Sequence, residues 1–269
     1  MFRLLKKIYR LFIPKKKTEI FNEELNNISI IEKYSINQDL FKLELHSGIK
    51  LVLRDFSHSD LDVFKQIFLK EEYKLIMNLL KENHNHEGKI VVIDAGANIG
   101  LTTLYLGEYL KNAFFYVIEP SKGNFDLLQR NLELNDYLNR SKLFQRALHC
   151  KMDLNFNISN DFRDMRDWGH TTVLDESGEI QSITIDKIIE DENLDGITLL
   201  KIDIEGAERF LFDDLSNCKF LEITKYIAIE VHEEFISQRK VIDTLINYGF
   251  LITVYEEFTI GINKYLISK

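Results

Sequence analysis

Apolar and polar residues alternate along residues 40–55, and the alternation is broken only at Ser47 and Gly48. A period of two places the apolar side chains on one face of a β-strand. A short Gly-containing break between two such runs is typical of a hairpin turn. The pattern therefore predicts a β-hairpin over these residues.

A helical pattern follows, with apolar residues recurring every three or four positions over residues 60–81. This spacing predicts one amphipathic helix. A polar stretch over residues 83–88 ends it, and we place a domain boundary there. The chain is then expected to consist of a basic segment (1–17), an N-terminal appendage of hairpin and helix (18–85) and a main domain (86–269).

In the main domain, short runs rich in β-branched residues alternate with helical patterns, as expected for buried parallel strands and their crossover helices. Strands are predicted at 90–94, 114–119, 143–148, 180–185, 198–204 and 226–231, with a further strand at 154–158 in an irregular stretch. Helices are predicted at 98–111, 125–135, 207–215 and 241–248. Repeated strand–helix units predict a Rossmann-like, doubly wound α/β fold whose ligands bind beyond the carboxyl ends of the strands. The last two runs, 250–255 and 262–267, have little helix between them and predict an antiparallel edge.

The composition is that of an ordinary globular chain, with 269 residues of which 45% are apolar and 29% charged. No run of eighteen apolar residues occurs, so the sequence predicts no membrane-spanning helix. The two cysteines cannot form a disulfide framework, which indicates a reducing compartment. We therefore expect a cytoplasmic protein that is soluble or at most peripheral to a membrane.

The net charge of −9 is unevenly distributed. Residues 1–17 hold seven of the 34 basic residues and no acidic residue, so the other 27 basic residues face all 43 acidic ones. An acidic body repels a phosphate backbone, which argues against nucleic acid as a partner.

The basic segment 1–17 also has a helical pattern, which Pro14 ends. Its apolar residues share one helical face: Leu4, Leu5, Ile8, Leu11 and Phe12. A short basic amphipathic helix can lie in the interface of an anionic membrane. A helix packed on its own domain or on a partner subunit would show the same pattern, and both interpretations stay open.

The strongest chemical signal is the segment DAGANIG, which begins at Asp94 at the end of the first main-domain strand. Gly96 allows a tight turn and a close approach to a ligand, and Gly100 allows the next helix to pack closely. A dinucleotide fingerprint would also need glycine at positions 98 and 101, which hold Asn98 and Leu101. The carboxylate of Asp94 instead suits a cationic ligand such as an ammonium or a sulfonium.

The second main-domain strand also ends in an acid, Glu119, which is followed by Pro120. A carboxylate at that position can accept both hydrogen bonds from a ribose diol. Together with the glycine turn and Asp94, it predicts a nucleoside-containing cofactor.

Four segments, DAGANIG, IEP, LLKIDIEGAE and IEVH, occur in this order, and through them the sequence resembles the FkbM family of S-adenosylmethionine-dependent methyltransferases. The likeness covers roughly residues 60–256 and includes LKEEY at 69–73; LLKIDIEGAE is its most family-specific part. The resemblance implies a class I methyltransferase fold, S-adenosylmethionine as the cofactor, and O-methylation of a hydroxyl on a sugar, polysaccharide or related natural product.

The resemblance also implies which residues contact the cofactor. Those around the methionine moiety would be Asp94, Gly96, Asn98 and Gly100, with Glu119 on the ribose and the loop at Ala147 beside the adenine. From their positions alone, Asp94 and Asn98 could equally cap the following helix, and Glu119 could be a surface acid at a strand end.

A second group of chemical residues ends two further predicted strands: Asp203, Glu205, Glu230 and His232. In the usual strand order these strands are neighbours, so the four side chains are expected to converge near the transferred methyl group. His232 is our first candidate for the base that removes the acceptor proton, with Asp203 as the alternative and Glu205 beside them. Glu230 is expected to bind the acceptor. The same residues could instead bind Mg²⁺ or another hard divalent ion, and His232 could simply hydrogen-bond behind the site.

Trp168, the only tryptophan, lies in the irregular stretch between predicted strands and could stack on a sugar or anchor its own loop. The sequence thus predicts an S-adenosylmethionine-dependent O-methyltransferase acting on a small-molecule or glycan hydroxyl. The rival interpretations are a catalytically silent methyltransferase-like binding protein and a nucleotide-cofactor oxidoreductase, which Asp94 and Asn98 disfavour.

Overall fold

The computed structural model of the chain describes residues 17–37, 40–55, 58–83, 89–159 and 171–267. Trp168 and nearly all of the basic segment 1–17 lie outside these residues. In the described part of the chain, no helix combines the length and the apolar character that crossing a membrane requires.

The chain divides into two compact units, Met1–Leu61 and Asp62–Lys269. This division falls ahead of the boundary that the sequence places at residues 83–88. The difference arises because the helix Lys74–Asn83 contacts the main sheet and so belongs to the larger unit.

The smaller unit contains the helix Lys17–Asn26 and an antiparallel sheet of β1 (Ile31–Asn37), β2 (Leu40–Leu45) and β3 (Lys50–Arg54). β2 and β3 form the predicted hairpin. Phe21 stacks on Phe41 at 3.9 Å between ring centroids, at the centre of this unit's core. The apolar pattern does not predict β1, because its side chains are mostly exposed.

The prediction of one continuous helix over 60–81 is wrong. The structure has an α-helix at Asp60–Phe64, a π-helix at Lys65–Leu69 and a second α-helix at Lys74–Asn83. Between the last two, Glu71 adopts a left-handed φ of 52°. Apolar spacing indicates which side chains are buried, but it does not show that the backbone continues as one helix, and π-turns recur at functional sites.

The larger unit contains the remaining strands: β4 (Ile90–Ala95), β5 (Ala113–Ile118), β6 (Ser141–Phe144), β7 (Ala147–Leu148), β8 (Asn155–Ser159), β9 (Thr171–Leu174), β10 (Ile180–Ile183), β11 (Ile197–Ile202), β12 (Thr224–Glu230), β13 (Phe250–Tyr255) and β14 (Phe258–Asn263). Its further α-helices are Leu101–Tyr109, Lys122–Glu133, Ile185–Glu192, Glu208–Phe212 and Gln238–Asn247. Among the described residues it also has 3₁₀ segments at Leu138–Arg140 and Leu215–Ile223.

Seven of these strands form one sheet in the order β13-β14-β12-β11-β4-β5-β6. The strands from β12 to β6 are parallel neighbours, whereas β14 is antiparallel to both β12 and β13. The doubly wound, mostly parallel sheet with antiparallel pairing on one side confirms the predicted fold class. β14 is nevertheless inserted between β12 and β13, and it begins at Phe258 rather than at residue 262.

A second sheet, in the order β7-β10-β8-β9, lies within the irregular stretch. β8 is the strand predicted at 154–158. The strand predicted at 143–148 is wrong in its extent, because β6 ends at Phe144 and β7 pairs with β10 in this second sheet.

The centre of the main sheet is formed by β4 and β11, in which every residue is buried. Strands covered on both faces are expected to be apolar throughout. Ala95 pairs with Ile202 and also with Ile118, so the carboxyl ends of β4, β11 and β5 lie side by side. The residues that follow these ends therefore meet at one edge of the sheet.

Candidate active site

A cavity of about 370 Å³ opens at this edge of the sheet. Its size lies in the range of small-molecule pockets. The predicted site residues that line it are Gly96, Asn98, Glu119, Asp203, Glu205 and Glu230. The structure thus brings together the turn after β4, the end of β5 and the ends of β11 and β12.

The turn after β4 needs glycine at position 96. Gly96 has a φ of 76°, and a Cβ there would lie 1.6 Å from the carbonyl oxygen of Asp203. The N–H groups of Gly96 and Ala97 both donate to the carbonyl of Ile118, at 3.0 Å. These contacts hold the turn against the neighbouring strand ends, with its backbone exposed to the cavity.

Glu119 joins this turn to the end of β5. Its Oε2 accepts the N–H of Asn98 at 2.8 Å, and its Oε1 accepts the N–H of Ser121 at 2.9 Å. Burial raises the pKa of Glu119 to about 7 in spite of these hydrogen bonds. The side chain of Asn124 also hydrogen-bonds to Glu119. A carboxylate has about four acceptor sites, so one remains for a ribose hydroxyl.

Asn98 contributes a second polar group to the cavity wall. Its φ is 50°, and among the described residues its buried Oδ1 has no hydrogen-bond partner. A buried acceptor without a partner is unfavourable unless a ligand donates to it. Together with the glycine turn and Glu119, it fits the ammonium and ribose of S-adenosylmethionine.

Asp94 is close to this cavity but does not line it. Thr103 Oγ1 donates to Asp94 Oδ2 at 2.6 Å, and Lys201 Nζ lies 3.5 Å from Oδ1. Lys201 in turn donates to the carbonyl of Gly96 at 2.8 Å. Asp94 is therefore placed to act on the turn through Lys201 rather than to contact a ligand.

Two other predicted cofactor contacts also lie outside the cavity lining. Gly100 precedes the helix Leu101–Tyr109 with a φ of 85° and packs on Leu128. Ala147 is buried in β7. Both positions are consistent with structural roles.

His232 is completely buried among carboxylates. Its Nδ1 lies 3.1 Å from Glu208 Oε1, and its Nε2 lies 3.1 Å from Glu205 Oε2 and 3.6 Å from Glu230 Oε1. Burial alone would lower its pKa, but Glu205 and Glu208 raise the pKa of His232 to about 11. A histidine that is protonated while it has these partners and is absent from the cavity lining is poorly placed to act as a base, so the geometry disfavours that role.

The carboxylates that do line the cavity are crowded together. Burial and the neighbouring Asp203 raise the pKa of Glu230 to about 9. Burial, followed by Asp203 and Glu257, raises the pKa of Glu72 to about 7. The carboxylates in this part of the cavity therefore repel one another when they are ionised, and a cationic group bound among them would be favoured.

Sequence reasoning missed four ionisable residues of the lining: Glu72, Tyr73, Lys201 and Glu257. Lys201 left a clear signal, because it is a lysine inside an otherwise apolar buried strand. Burial opposes its charge, but the nearby Tyr73, Asp203 and Asp94 raise the pKa of Lys201 above its usual value. Glu72 and Tyr73 belong to LKEEY, where the helical pattern hid the break that turns them into the cavity.

In the main sheet, β14 is antiparallel and lies between β12 and β13. A glycine turn follows β4, and an acid follows β5. This arrangement is that of the class I methyltransferases. The family model of the methyltransferase FkbM domain matches residues 94–252. The chain belongs to this family and is a methyltransferase of the S-adenosylmethionine-dependent type.

Among curated proteins, the chain is 25% identical over 221 residues to methyltransferase sdnD of Sordaria araneosa, covering 71% of this chain and 82% of that protein. It is also 25% identical over 201 residues to methyltransferase 1 of Beauveria bassiana, covering 67% and 74%. A similar solved structure is methyltransferase FkbM from Methylobacillus flagellatus, with 18% identity and a TM-score of 0.43. That match covers 65% of this chain and 43% of the other, so the chain spans less than half of that protein's length.

Glu119 is expected to contribute strongly to binding of the cofactor. Glu119→Ala should weaken S-adenosylhomocysteine binding by about 2–4 kcal/mol, or roughly 30- to 1000-fold, because it removes a charge-assisted acceptor and releases Asn98. Calorimetry on the folded variant measures this effect. Glu133→Ala, an exposed acid on the helix Lys122–Glu133, is the control. An unchanged affinity in Glu119→Ala would remove this residue from the site.

Proposed function

We propose that the protein transfers the methyl group of S-adenosylmethionine to a hydroxyl of a sugar, polysaccharide or related natural product. The observation that supports this is the composition of the single cavity described above. Gly96, Asn98 and Glu119 fit the cofactor, while Asp203 lines the same space and can accept a proton. Methylation of a hydroxyl needs both functions within reach of one another.

The cofactor, when bound, supplies an electrophilic methyl group on a sulfonium. The hydroxyl oxygen of the acceptor forms its bond to the methyl carbon as the bond from carbon to sulfur breaks. The hydroxyl proton passes to the carboxylate of Asp203. Lys201 holds the turn after β4, and Glu119 holds the ribose. Both residues therefore align the reacting groups before the methyl group is transferred.

The acceptor class is tested by supplying S-adenosylmethionine with a labelled methyl group together with sugar nucleotides and capsule-type oligosaccharides. We expect label in a product that resists mild base, since a methyl ether is stable where a methyl ester is hydrolysed. Base-labile product, or label on nitrogen, would show that the acceptor is not a hydroxyl. Binding of NADH as tight as that of S-adenosylmethionine would instead favour the oxidoreductase interpretation.

We also propose that the enzyme is cytoplasmic and that residues 1–17 hold it at an anionic membrane surface, where lipid-linked glycans are accessible. Each basic residue near such a surface contributes about 1 kcal/mol, and salt weakens the attraction. Deleting residues 1–17 should therefore abolish sedimentation with anionic liposomes at low salt and leave S-adenosylhomocysteine affinity unchanged.

Neutral liposomes are the control for this prediction, since they offer the apolar interface without the charge. The membrane proposal is wrong if the intact protein does not sediment with anionic liposomes. If the deletion instead dissociates an oligomer or lowers the melting temperature, the segment is a structural helix.

A further inference from the structure

Three side chains that can ligate a metal converge at the wall of the cavity: Asp203, Glu205 and His232. One ligand atom from each lies within 4.8 Å of the others. We propose that this group, the acid–histidine cluster, binds one divalent cation of the Mg²⁺ or Mn²⁺ kind. The proposal deepens the proposed function and rests on it for the role of the ion, but the site itself can be tested separately.

The second observation is the state of His232 Nε2. The side chain is fully buried, and within the described part of the chain Nε2 has no hydrogen-bond partner. Glu205 Oε2 lies only 3.1 Å away, yet the contact does not have hydrogen-bond geometry. A buried imidazole nitrogen this close to a carboxylate needs a positive charge between them, which is either the proton of a charged His232 or a metal ion that replaces that proton.

The direction of this contact favours a metal over a proton, and its distance is compatible with a metal. A shared proton lies near the line between its two heavy atoms, which gives a normal hydrogen bond. A metal lies to one side of that line, and two adjacent ligands of an octahedral ion with bonds of about 2.1 Å are about 3.0 Å apart. The observed separation of His232 Nε2 and Glu205 Oε2 matches that spacing.

The other ring nitrogen of His232 is already oriented. Glu208 Oε1 lies 3.1 Å from Nδ1 and also accepts the N–H of Ile204 at 3.0 Å. A carboxylate on the far nitrogen of a ligating histidine is the usual support of a metal site, because it fixes the ring and directs Nε2 at the ion. Glu208 is completely buried and has no access to the cavity, so support of His232 is the role that its position allows.

Glu205 is held in place by an uncommon backbone. Its φ is 52°, and Gly206 next to it has a φ of 90°, where a Cβ would lie 2.2 Å from the ring of Phe235. Non-glycine residues in this region are strained, and the strain is maintained where it positions a functional group. The two residues together turn the Glu205 carboxylate toward His232.

An ion in the cluster would explain how an alcohol loses its proton in a cavity whose lining, among the described residues, includes no histidine. The acceptor hydroxyl would occupy an open coordination position, and the ion would lower the pKa of that hydroxyl. The charge of the ion would also favour the ionised form of Glu230, which lines the cavity outside the cluster and could then take the proton. The oxygen–methyl bond then forms as the methyl–sulfur bond breaks, and the ion is unchanged.

The experiment uses the full chain, freed of metal with a chelator, and Mn²⁺ as the probe. Electron paramagnetic resonance should show one Mn²⁺ bound per chain. Glu205→Gln, and Glu208→Gln behind the histidine, should each weaken Mn²⁺ binding by about 10- to 100-fold. Glu257→Gln is the matched control, because it removes the same charge from the same cavity outside the cluster and should change affinity by less than about threefold.

Circular dichroism and S-adenosylhomocysteine affinity show whether each variant is folded. Absence of Mn²⁺ binding at millimolar concentration, or equal losses in Glu205→Gln and Glu257→Gln, would overturn the proposal. Full methyl transfer in the presence of chelator would also overturn it and leave the proposed function intact. Specific Mn²⁺ binding without methylation of any hydroxyl acceptor would support the site and count against the proposed acceptor class.

Discussion

Asp203→Asn is expected to slow methyl transfer about 10²–10⁴-fold while changing S-adenosylhomocysteine affinity by less than about threefold. Asp203 lines the cavity, and its Oδ2 lies 3.5 Å from Lys201. Asparagine keeps the shape and the backbone of the strand end, but it cannot accept a proton as a carboxylate does. The loss should therefore appear in the rate of transfer and not in cofactor binding. Single-turnover transfer of a labelled methyl group, with calorimetry alongside, measures both.

Asp243→Asn is the control for this variant, because Asp243 is an exposed acid that pairs with Arg239 on the helix Gln238–Asn247. Its rate should equal that of the unmodified protein. Full activity in Asp203→Asn would assign proton removal to Glu230 or to water. If the variant loses Mn²⁺ and the rate together, Asp203 acts as a metal ligand rather than as the base.

The surroundings of His232 show which features of the site could be predicted from the order of the strands and which could not. The strand order correctly predicts that Asp203, Glu205, Glu230 and His232 converge. It does not show which of them reaches the cavity, because that depends on how far each strand continues and on its partners. Glu208, which faces His232 Nδ1, comes from the first turn of a helix, where an acid is expected for the helix dipole alone.

The main sheet could be predicted almost completely because its strands are buried on both faces. Runs such as β4 and β11 are mostly apolar, and the glycines and acids near their ends mark where they stop. The pairing of β7 with β10 could not be predicted in this way, because a two-residue strand has too few positions to show a period.

Lys201 shows a further limit of the sequence. An isolated lysine in a buried strand indicates a paired charge, since an unpaired buried charge is strongly unfavourable. Its partners, Asp94 and Asp203, lie at two different strand ends, and the carbonyls of Ala95 and Gly96 also accept hydrogen bonds from it. Only the neighbouring positions of β4 and β11 in the sheet bring these groups together.

Gly96→Ala is expected to abolish measurable S-adenosylhomocysteine binding and to lower the free energy of unfolding by about 2–6 kcal/mol. The new Cβ would lie 1.6 Å from the carbonyl oxygen of Asp203, and backbone atoms of a central strand end cannot move aside as a flexible side chain can. The φ of 76° adds strain of its own.

The variant Gly48→Ala separates the strain of the positive φ from the steric clash of the new Cβ. Gly48 has a φ of 89° in the turn between β2 and β3, but nothing lies within 4 Å of the position of its Cβ. This variant should therefore show the conformational strain alone, about 1–2 kcal/mol in urea unfolding, with unchanged cofactor affinity. If Gly96→Ala is no more destabilised than Gly48→Ala and still binds the cofactor, the turn after β4 does not hold the cofactor against the end of β11.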